Sequence, residues 1–411
     1  MATSCSGFFR DLIKTRTRAT VRRRPDMNIA IFTPNYLPGT RSGGPVHSTH
    51  GLARALVGLG HTVDVLTTDV DGPDRLDVPL DRPARIDGVR VHYRPLARPT
   101  RLYYSPALAR LAEEVVPTAD AVHVNGVFLW PGPRISRIAR RSGRRLVISP
   151  RGMLMPGLVA GKSRLAKRFW IGIAERSNLA GATAIHVTSQ AEAEGLRMLG
   201  LDLAPIALLG NGVDLPEQQP DQREIDALWG DVTRGGRVAF FGRLGWNKGV
   251  DMAIAAVRAH PHATLRLAGH DEIGLRARLD PQLKRADGSV CGKFVGHLDG
   301  REKWAFLAGA DVMLMPSLQE NFGNALVEAL AVGTPVIATE GVGAASYLRR
   351  IAQDFVVPRD QAALNHALAK ALADPGRLAR IGTAGRDLVA DELQWPALAR
   401  RMAEVYRGNL P

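Results

Sequence analysis

Short apolar runs alternate with glycine-bearing loops and helical stretches along almost the whole chain. The first unit sets the pattern. Asn28–Phe32 is apolar, Thr33–Gly44 is rich in turn residues, and Leu52, Leu56 and Leu59 follow at helical spacing up to Gly58–Gly60, where glycine suits a helix C-terminus. Val63–Leu66 is the next apolar run. Strand, glycine loop, helix, strand is a βαβ unit, and such units build parallel sheets. The rhythm continues through Val89–Tyr93, Ala121–Val124, Arg145–Ser149, Ala184–Val187 and Ile206–Leu209. Ser189-Gln-Ala-Glu192 reads as a capping box that opens a helix. Polar, proline-bearing Pro216–Asp221 reads as a linker. The pattern then restarts with Arg237–Phe241, Ala263–Ala268, Lys293–Val295, Asp311–Met315, Pro335–Ala338 and Asp354–Val357, with helices such as Val250–Ala259 and Ala325–Ala331 between. The prediction is two doubly wound α/β domains, 27–214 and 215–394.

Composition enters as exclusion. No run of 18 apolar residues occurs, which argues against a membrane-spanning helix. Two cysteines, Cys5 and Cys291, cannot build a disulfide framework or a zinc site, and this fits a reducing, cytoplasmic setting. Lys and Arg number 54 against 40 Asp and Glu, a net charge of +14, which favours an anionic partner: nucleic acid, anionic lipid or a phosphorylated substrate. Residues 1–26 hold seven cations and two carboxylates, or +5 of that total. They read as a basic, disordered extension, as residues ahead of a working start at Met27, or as an arm for anionic lipid.

In open parallel sheets, ligands bind beyond the carboxyl ends of the strands, so the strand–helix loops carry the chemistry. Phe240-Phe241-Gly242-Arg243-Leu244-Gly245-Trp246-Asn247-Lys248-Gly249 sets Arg243 and Lys248 beside a helix start, an anion site that suits a diphosphate. Pro316–Glu328 places Glu320 in a loop and Glu328 one turn into a helix, with the amides of Phe322, Gly323 and Asn324 between them. Carboxylates accept hydrogen bonds from sugar and ribose hydroxyls. A carboxylate pair also suggests glycoside hydrolysis, but the neighbouring phosphate site argues against it. Pro38–Gly44, with Gly43 and Gly44, could close over phosphate from the other domain. Gly157–Ser163 resembles a P-loop but has three residues between its glycines, and G-x-G-x-x-G and H-E-x-x-H are absent. These gaps count against a nucleoside triphosphatase, a nicotinamide dehydrogenase and a catalytic metal.

Taken together, Gly242-Arg243-Leu244 with Lys248-Gly249, Glu320-x7-Glu328 and Gly333-Thr334-Pro335-Val336 resemble the retaining glycosyltransferases of family 4 (glycosyl transferases group 1). Gly60-His61-Thr62-Val63, Asn211-Gly212-Val213-Asp214 and Ser149-Pro150-Arg151-Gly152-Met153-Leu154 agree, the last being similar to a subgroup of bacterial cell-surface polysaccharide enzymes. The resemblance implies a GT-B fold: two Rossmann-like domains facing each other across a cleft, with a terminal helix 395–408 packing back on the first. It implies sugar transfer with retention from a UDP-, GDP- or ADP-sugar to a glycan or lipid-linked glycan, with no metal; nucleic acid is not expected, because no recognition motif or interleaved aromatic set supports it. Arg243 and Lys248 would bind the diphosphate. Glu320 and the amides of Phe322, Gly323 and Asn324 would hold sugar hydroxyls, and Glu328 the ribose. Gly296-His297-Leu298 would lie against the base. Gly43 and Gly44 would close on the phosphates, with Gly242 and Leu326 also on the donor side.

One departure stands out. Where the family often has His-x-His, this chain has His123-Val124-Asn125. Asn125 can hydrogen-bond but cannot act as an acid or base. His123 faces either the core or the cleft. Arg151 contacts acceptor or phosphates, or sits in a structural ion pair. Lys162, Arg164, Lys167 and Arg168 with Phe169 and Trp170 read as a solvated helix or as contact with an anionic membrane on its cytoplasmic face. The competing readings are a nucleotide-sugar-binding protein without transfer, a nucleic-acid-binding protein and a phosphorylase.

Overall fold

The computed structural model describes residues 26–41, 43–161, 163–271 and 273–410. The basic extension, apart from Asp26, and Lys162 lie outside the described residues.

The first half supplies strands β1 (Asn28–Phe32), β2 (Thr62–Thr68), β3 (Val70–Asp71), β4 (Asp74–Arg75), β5 (Ala84–Ile86), β6 (Val89–Arg94), β7 (Ala121–Asn125), β8 (Arg145–Ser149), β9 (Ala184–Val187) and β10 (Ile206–Leu208). The second half supplies β11 (Arg237–Phe241), β12 (Thr264–Ala268), β13 (Gly292–Gly296), β14 (Val312–Met315), β15 (Val336–Thr339) and β16 (Val356–Val357). Eight strands form one sheet in the order β10-β9-β8-β7-β1-β2-β6-β5, six form a second in the order β13-β12-β11-β14-β15-β16, and β3 with β4 make a small separate ladder. Within the two large sheets all neighbours run parallel except β5 and β6. Strands such as β7 and β14 are buried throughout, because apolar side chains on both strand faces demand helices on both sides.

The strand order decides where a ligand can sit. In the first sheet the chain runs outward from β1 to β2, then returns to place β7 on the other side of β1. In the second it runs from β11 to β13, then places β14 on the other side of β11. These two reversals are the topological switch points, where diverging loops leave a crevice. The loops singled out from sequence, Thr33–Gly44, Gly242–Gly249 and Pro316–Asn324, all leave these strands.

The chain crosses between domains twice, and the crossings touch: Val213 N donates to Leu393 O at 2.8 Å. The helix Trp395–Tyr406 then packs on the first domain, where Trp395, Ala399, Met402 and Tyr406 join a core with Leu52 and Leu56. Trp395 is wedged between two glycines; a Cβ on Gly51 would lie 2.3 Å from its ring and one on Gly212 2.5 Å. Among the described residues, no helix is long and apolar enough to cross a membrane.

Several local features differ from expectation. β5 pairs antiparallel with β6 through Asp87-Gly88, both with positive φ, a two-residue hairpin turn whose Asp-Gly signal was present in the sequence. β16 is only Val356–Val357, because Gln353–Phe355 form a 3-10 turn that places Phe355 in the core. The capping box at Ser189 is half made. Ser189 Oγ accepts from Glu192 N, but the Glu192 carboxylate turns away to Thr188 and Gly152.

Candidate active site

The second domain contributes two loops that its sheet makes neighbours. β11 pairs with β14, so the segments beyond them meet: Leu318 N donates to Asn247 O at 2.7 Å. Gly249 permits the approach, since a Cβ there would lie 2.2 Å from Pro316 O. The result is that Lys248 and Glu320 pair directly, with side chains 17% and 15% exposed. Ser317 Oγ adds a donor to Glu320 at 3.3 Å. Arg243 is exposed on the same loop, after Gly242 at φ 148°, a conformation that glycine accommodates.

Glu320 is held by backbone bonds to the next loop, its N donating to Gly341 O and its O accepting from Gly343 N. Gly323 has φ 96° and precedes the helix Asn324–Ala331. Among the described residues, none of the N–H groups of Phe322, Gly323 and Asn324 has an acceptor, so three donors remain for a ligand at a helix start. One turn on, Glu328 pairs with Lys303 at 3.0 Å. Lys303 also lies 4.2 Å from the Trp304 ring centroid. His297 stacks on His270 with centroids 3.8 Å apart. Burial first, then His270, pushes the His297 imidazole below its ordinary pKa.

The first domain presents a different kind of surface. Arg151, after β8, has φ 55°, a strained conformation for a non-glycine residue. Its guanidinium donates to Asn125 Oδ1 at 2.9 Å and Asn211 Oδ1 at 3.2 Å. Asn125 Nδ2 donates to Phe32 O at 3.2 Å. The strained turn is fixed from below by Glu192, which accepts from Gly152 N at 2.5 Å. Phe128, after β7, repeats the scheme: φ is 60°, and its N donates to buried Glu175 at 3.1 Å. Deeper still, His123 bridges Tyr406 Oη and Ser149 Oγ, each at 2.7 Å; Ser149 Oγ meets His186 Nδ1 at 2.7 Å; and His186 Nε2 reaches Leu209 O at 2.9 Å. Burial, aided by Arg151, holds the His186 pKa down at about 3 and His123 well below the usual range.

The two surfaces meet. Asn211 Nδ2 donates to Asn324 Oδ1 at 3.0 Å, and Asn321 Nδ2 to Thr188 Oγ1 at 2.8 Å. Gly44 lies against Asn324, whose Nδ2 would be 3.3 Å from a Cβ there. The Gly43-Gly44 loop therefore sits over the helix start at Asn324. Burial first, then the Lys303 charge, pushes the His47 imidazole below its ordinary pKa.

Sequence reasoning needs correction at several positions. His123 is a core residue with no exposure, and both ring nitrogens are occupied. Leu326, at 0% exposure, and Leu298, at 6%, point into the second domain's core and cannot offer side chains to a donor. Phe322 needs no correction: its ring packs edge-on against Tyr347, and the expectation concerned only its amide. Arg151 is held by two amides, and no ion pair to it is found among the described residues. Asn324, Asn211, Lys303, His270 and Glu192 are contributors whose side-chain roles the loop motifs did not reveal. Among the described residues, no group of three or more His, Cys, Asp and Glu converges as a metal site would.

Comparison with known proteins follows the same division. A family model described as glycosyl transferases group 1 matches residues 221–388, and one described as glycosyl transferase 4-like domain matches residues 43–212. A glycogen synthase of Mycobacterium tuberculosis is 34% identical over 220 residues, 51% of this chain and 50% of that protein. The chain thus spans about half the length of that curated relative. An uncharacterized glycosyltransferase of Methanocaldococcus jannaschii is 24% identical over 402 residues, 93% of this chain and 98% of that protein. Among solved structures, a sucrose-phosphate synthase from Thermosynechococcus elongatus superposes with a TM-score of 0.72 at 23% identity, covering 93% of this chain and 98% of its own. HepE of Anabaena, solved in complex with UDP and glucose, gives 0.70 at 20% identity, covering 93% and 99%.

Proposed function

The chain belongs to the group 1 glycosyl transferases, with two parallel-sheet α/β domains in the GT-B arrangement, and on that premise we propose that it is a hexosyltransferase using a nucleotide-sugar donor. The observation that carries the reading is the Lys248–Glu320 pair beside the three unaccepted amides of Phe322, Gly323 and Asn324, at the β11/β14 switch point. Lys248 and Arg243 bind the donor diphosphate. As Lys248 turns to phosphate, Glu320 is released to accept hydrogen bonds from the sugar hydroxyls. Charge builds on the diphosphate as the glycosidic bond breaks, and the cations and amides gathered on it stabilise that state more than the ground state. Glu328 takes the ribose, and His297 with His270 lies against the base.

The acceptor enters against the Asn125–Arg151 surface, where neither group can serve as a base at neutral pH. Deprotonation of the acceptor hydroxyl then falls to the departing phosphate on the same face of the sugar, which is a retaining, front-face route that needs no metal. The acceptor is a glycan or lipid-linked glycan, in cell-surface polysaccharide assembly on the cytoplasmic side of the membrane. A thermal-shift screen of UDP-, GDP- and ADP-sugars tests the reading, since ligand at a hundred times Kd stabilises the fold by about 2.7 kcal/mol. No stabilisation by any of them at millimolar concentration would refute it. Stabilisation without detectable transfer or donor hydrolysis would leave a binding protein.

A further inference from the structure

We propose that the helices Pro156–Ala160 and Arg164–Trp170, with the turn Ile171–Glu175, form a docking surface for an anionic lipid bilayer. This goes beyond sugar transfer and stands without it. The segment runs through Pro156–Ala160, Arg164–Trp170 and a π-helical turn Ile171–Glu175 into Arg176–Ala180. Leu165, Phe169 and Ile173 recur every four residues and are 75%, 68% and 62% exposed, with Leu158 at 48%. An amphipathic helix ordinarily buries such a stripe. Here the opposite face is already occupied: Ile171, Glu175 and Leu179 are buried, and Trp170 Nε1 donates inward to Glu175 at 2.9 Å. Of the aromatic pair Phe169-Trp170, only Phe169 is therefore left for a partner.

Charge selects the partner. Arg164, Arg168 and Arg176 are exposed around the stripe, Lys167 is half-buried, and the single acid between residues 150 and 180, Glu175, is buried. The arginine-rich helix Pro131–Arg141 adjoins it, with Arg140 donating to Ser177 O at 2.8 Å. A second copy of the chain docking by this face would set cations against cations with no acid to offset them, which disfavours a symmetric dimer. A bilayer with anionic headgroups accepts both features at once: apolar side chains enter the acyl boundary while Arg and Lys heads remain among the phosphates.

Sedimentation with vesicles of equal phosphatidylglycerol and phosphatidylcholine tests the proposal on the full chain. The protein should pellet with them and far less with phosphatidylcholine alone. L165S/F169S/I173S should lower the bound fraction at least tenfold while keeping the wild-type circular dichroism and melting temperature. An environment-sensitive label on F169C, in a C5S background, should shift to the blue on vesicle addition and be quenched by brominated acyl chains. No pelleting, a triple variant that binds like wild type, or a label that stays in water while the protein pellets through its basic N-terminal residues would each overturn the assignment. So would a dimer that the triple variant abolishes without any vesicle binding.

Discussion

The two lips of the cleft are made of different material. On the second domain, opposite charges face each other in pairs, Lys248 with Glu320 and Lys303 with Glu328, each side chain still about a sixth to a fifth exposed. On the first domain, Arg151 is met by neutral amides, and behind it lies a buried run of Tyr406, His123, Ser149 and His186. A partly solvated ion pair is worth little and exchanges partners readily. A buried polar network cannot lose a member without leaving an unsatisfied group. On the proposed reading, the second-domain lip is a donor lip built to change partners, and the first-domain lip an acceptor lip built to keep its shape.

That contrast can be broken from either side. The largest effect belongs to the donor lip: Lys248→Ala or Glu320→Ala should cut transfer at least about a hundredfold, the scale of losing a preorganised electrostatic group. The melting temperature should move by no more than about two degrees. A large loss of stability in these variants would erase the distinction. Next, Arg151→Leu should lower unfolding stability by about 2–3 kcal/mol in urea titrations, because Asn125 and Asn211 each lose a donor. A stability equal to wild type would show that the acceptor lip is not rigid.

The third test is pH. His123 and His186 have folded pKa values depressed below the unfolded value, so the folded state takes up fewer protons, and stability is complete above about pH 6.5 and is lost as pH falls. These two imidazoles alone should make the protein about 1.5–2 kcal/mol less stable at pH 6 than at pH 8. A flat profile in denaturant titrations would mean that the two imidazoles titrate in the folded state as they do in the unfolded chain. Smallest, Lys303→Ala should raise the donor KM a few-fold and alter stability by less than about 1 kcal/mol.

The donor lip was legible because each loop is local: Gly242–Gly249 and Glu320–Glu328 each span under ten residues, and strand pairing merely brings them together. Its errors were errors of side-chain direction. Leu326 lies between Asn324 and Glu328, and helical periodicity puts those two on one face and Leu326 on the other. On the acceptor lip the sequence showed candidates, Asn125, His123 and Arg151, but not the network that joins them, since its parts come from β7, β8, β9, the first domain crossing and the last helix. Strand alternation gave no help with His123, because β7 is buried on both faces. Glu192 satisfied a capping pattern by its position while its carboxylate served the Arg151 turn.

The buried run behind Arg151 also has a direction. A carbonyl oxygen only accepts, so His186 must carry its proton on Nε2 to meet Leu209 O, and its Nδ1 must accept from the Ser149 hydroxyl. The Ser149 oxygen then takes the Nε2 proton of His123, whose Nδ1 accepts from Tyr406. Both imidazoles are thereby locked in one tautomer, and the sequence of donors runs one way, from the last helix to the strand end where the chain first leaves the domain. Docking of Tyr406 is thus written into the proton positions beside the Asn211 crossing: with the helix seated, every donor in the line has an acceptor, and with it lifted, the line starts one proton short.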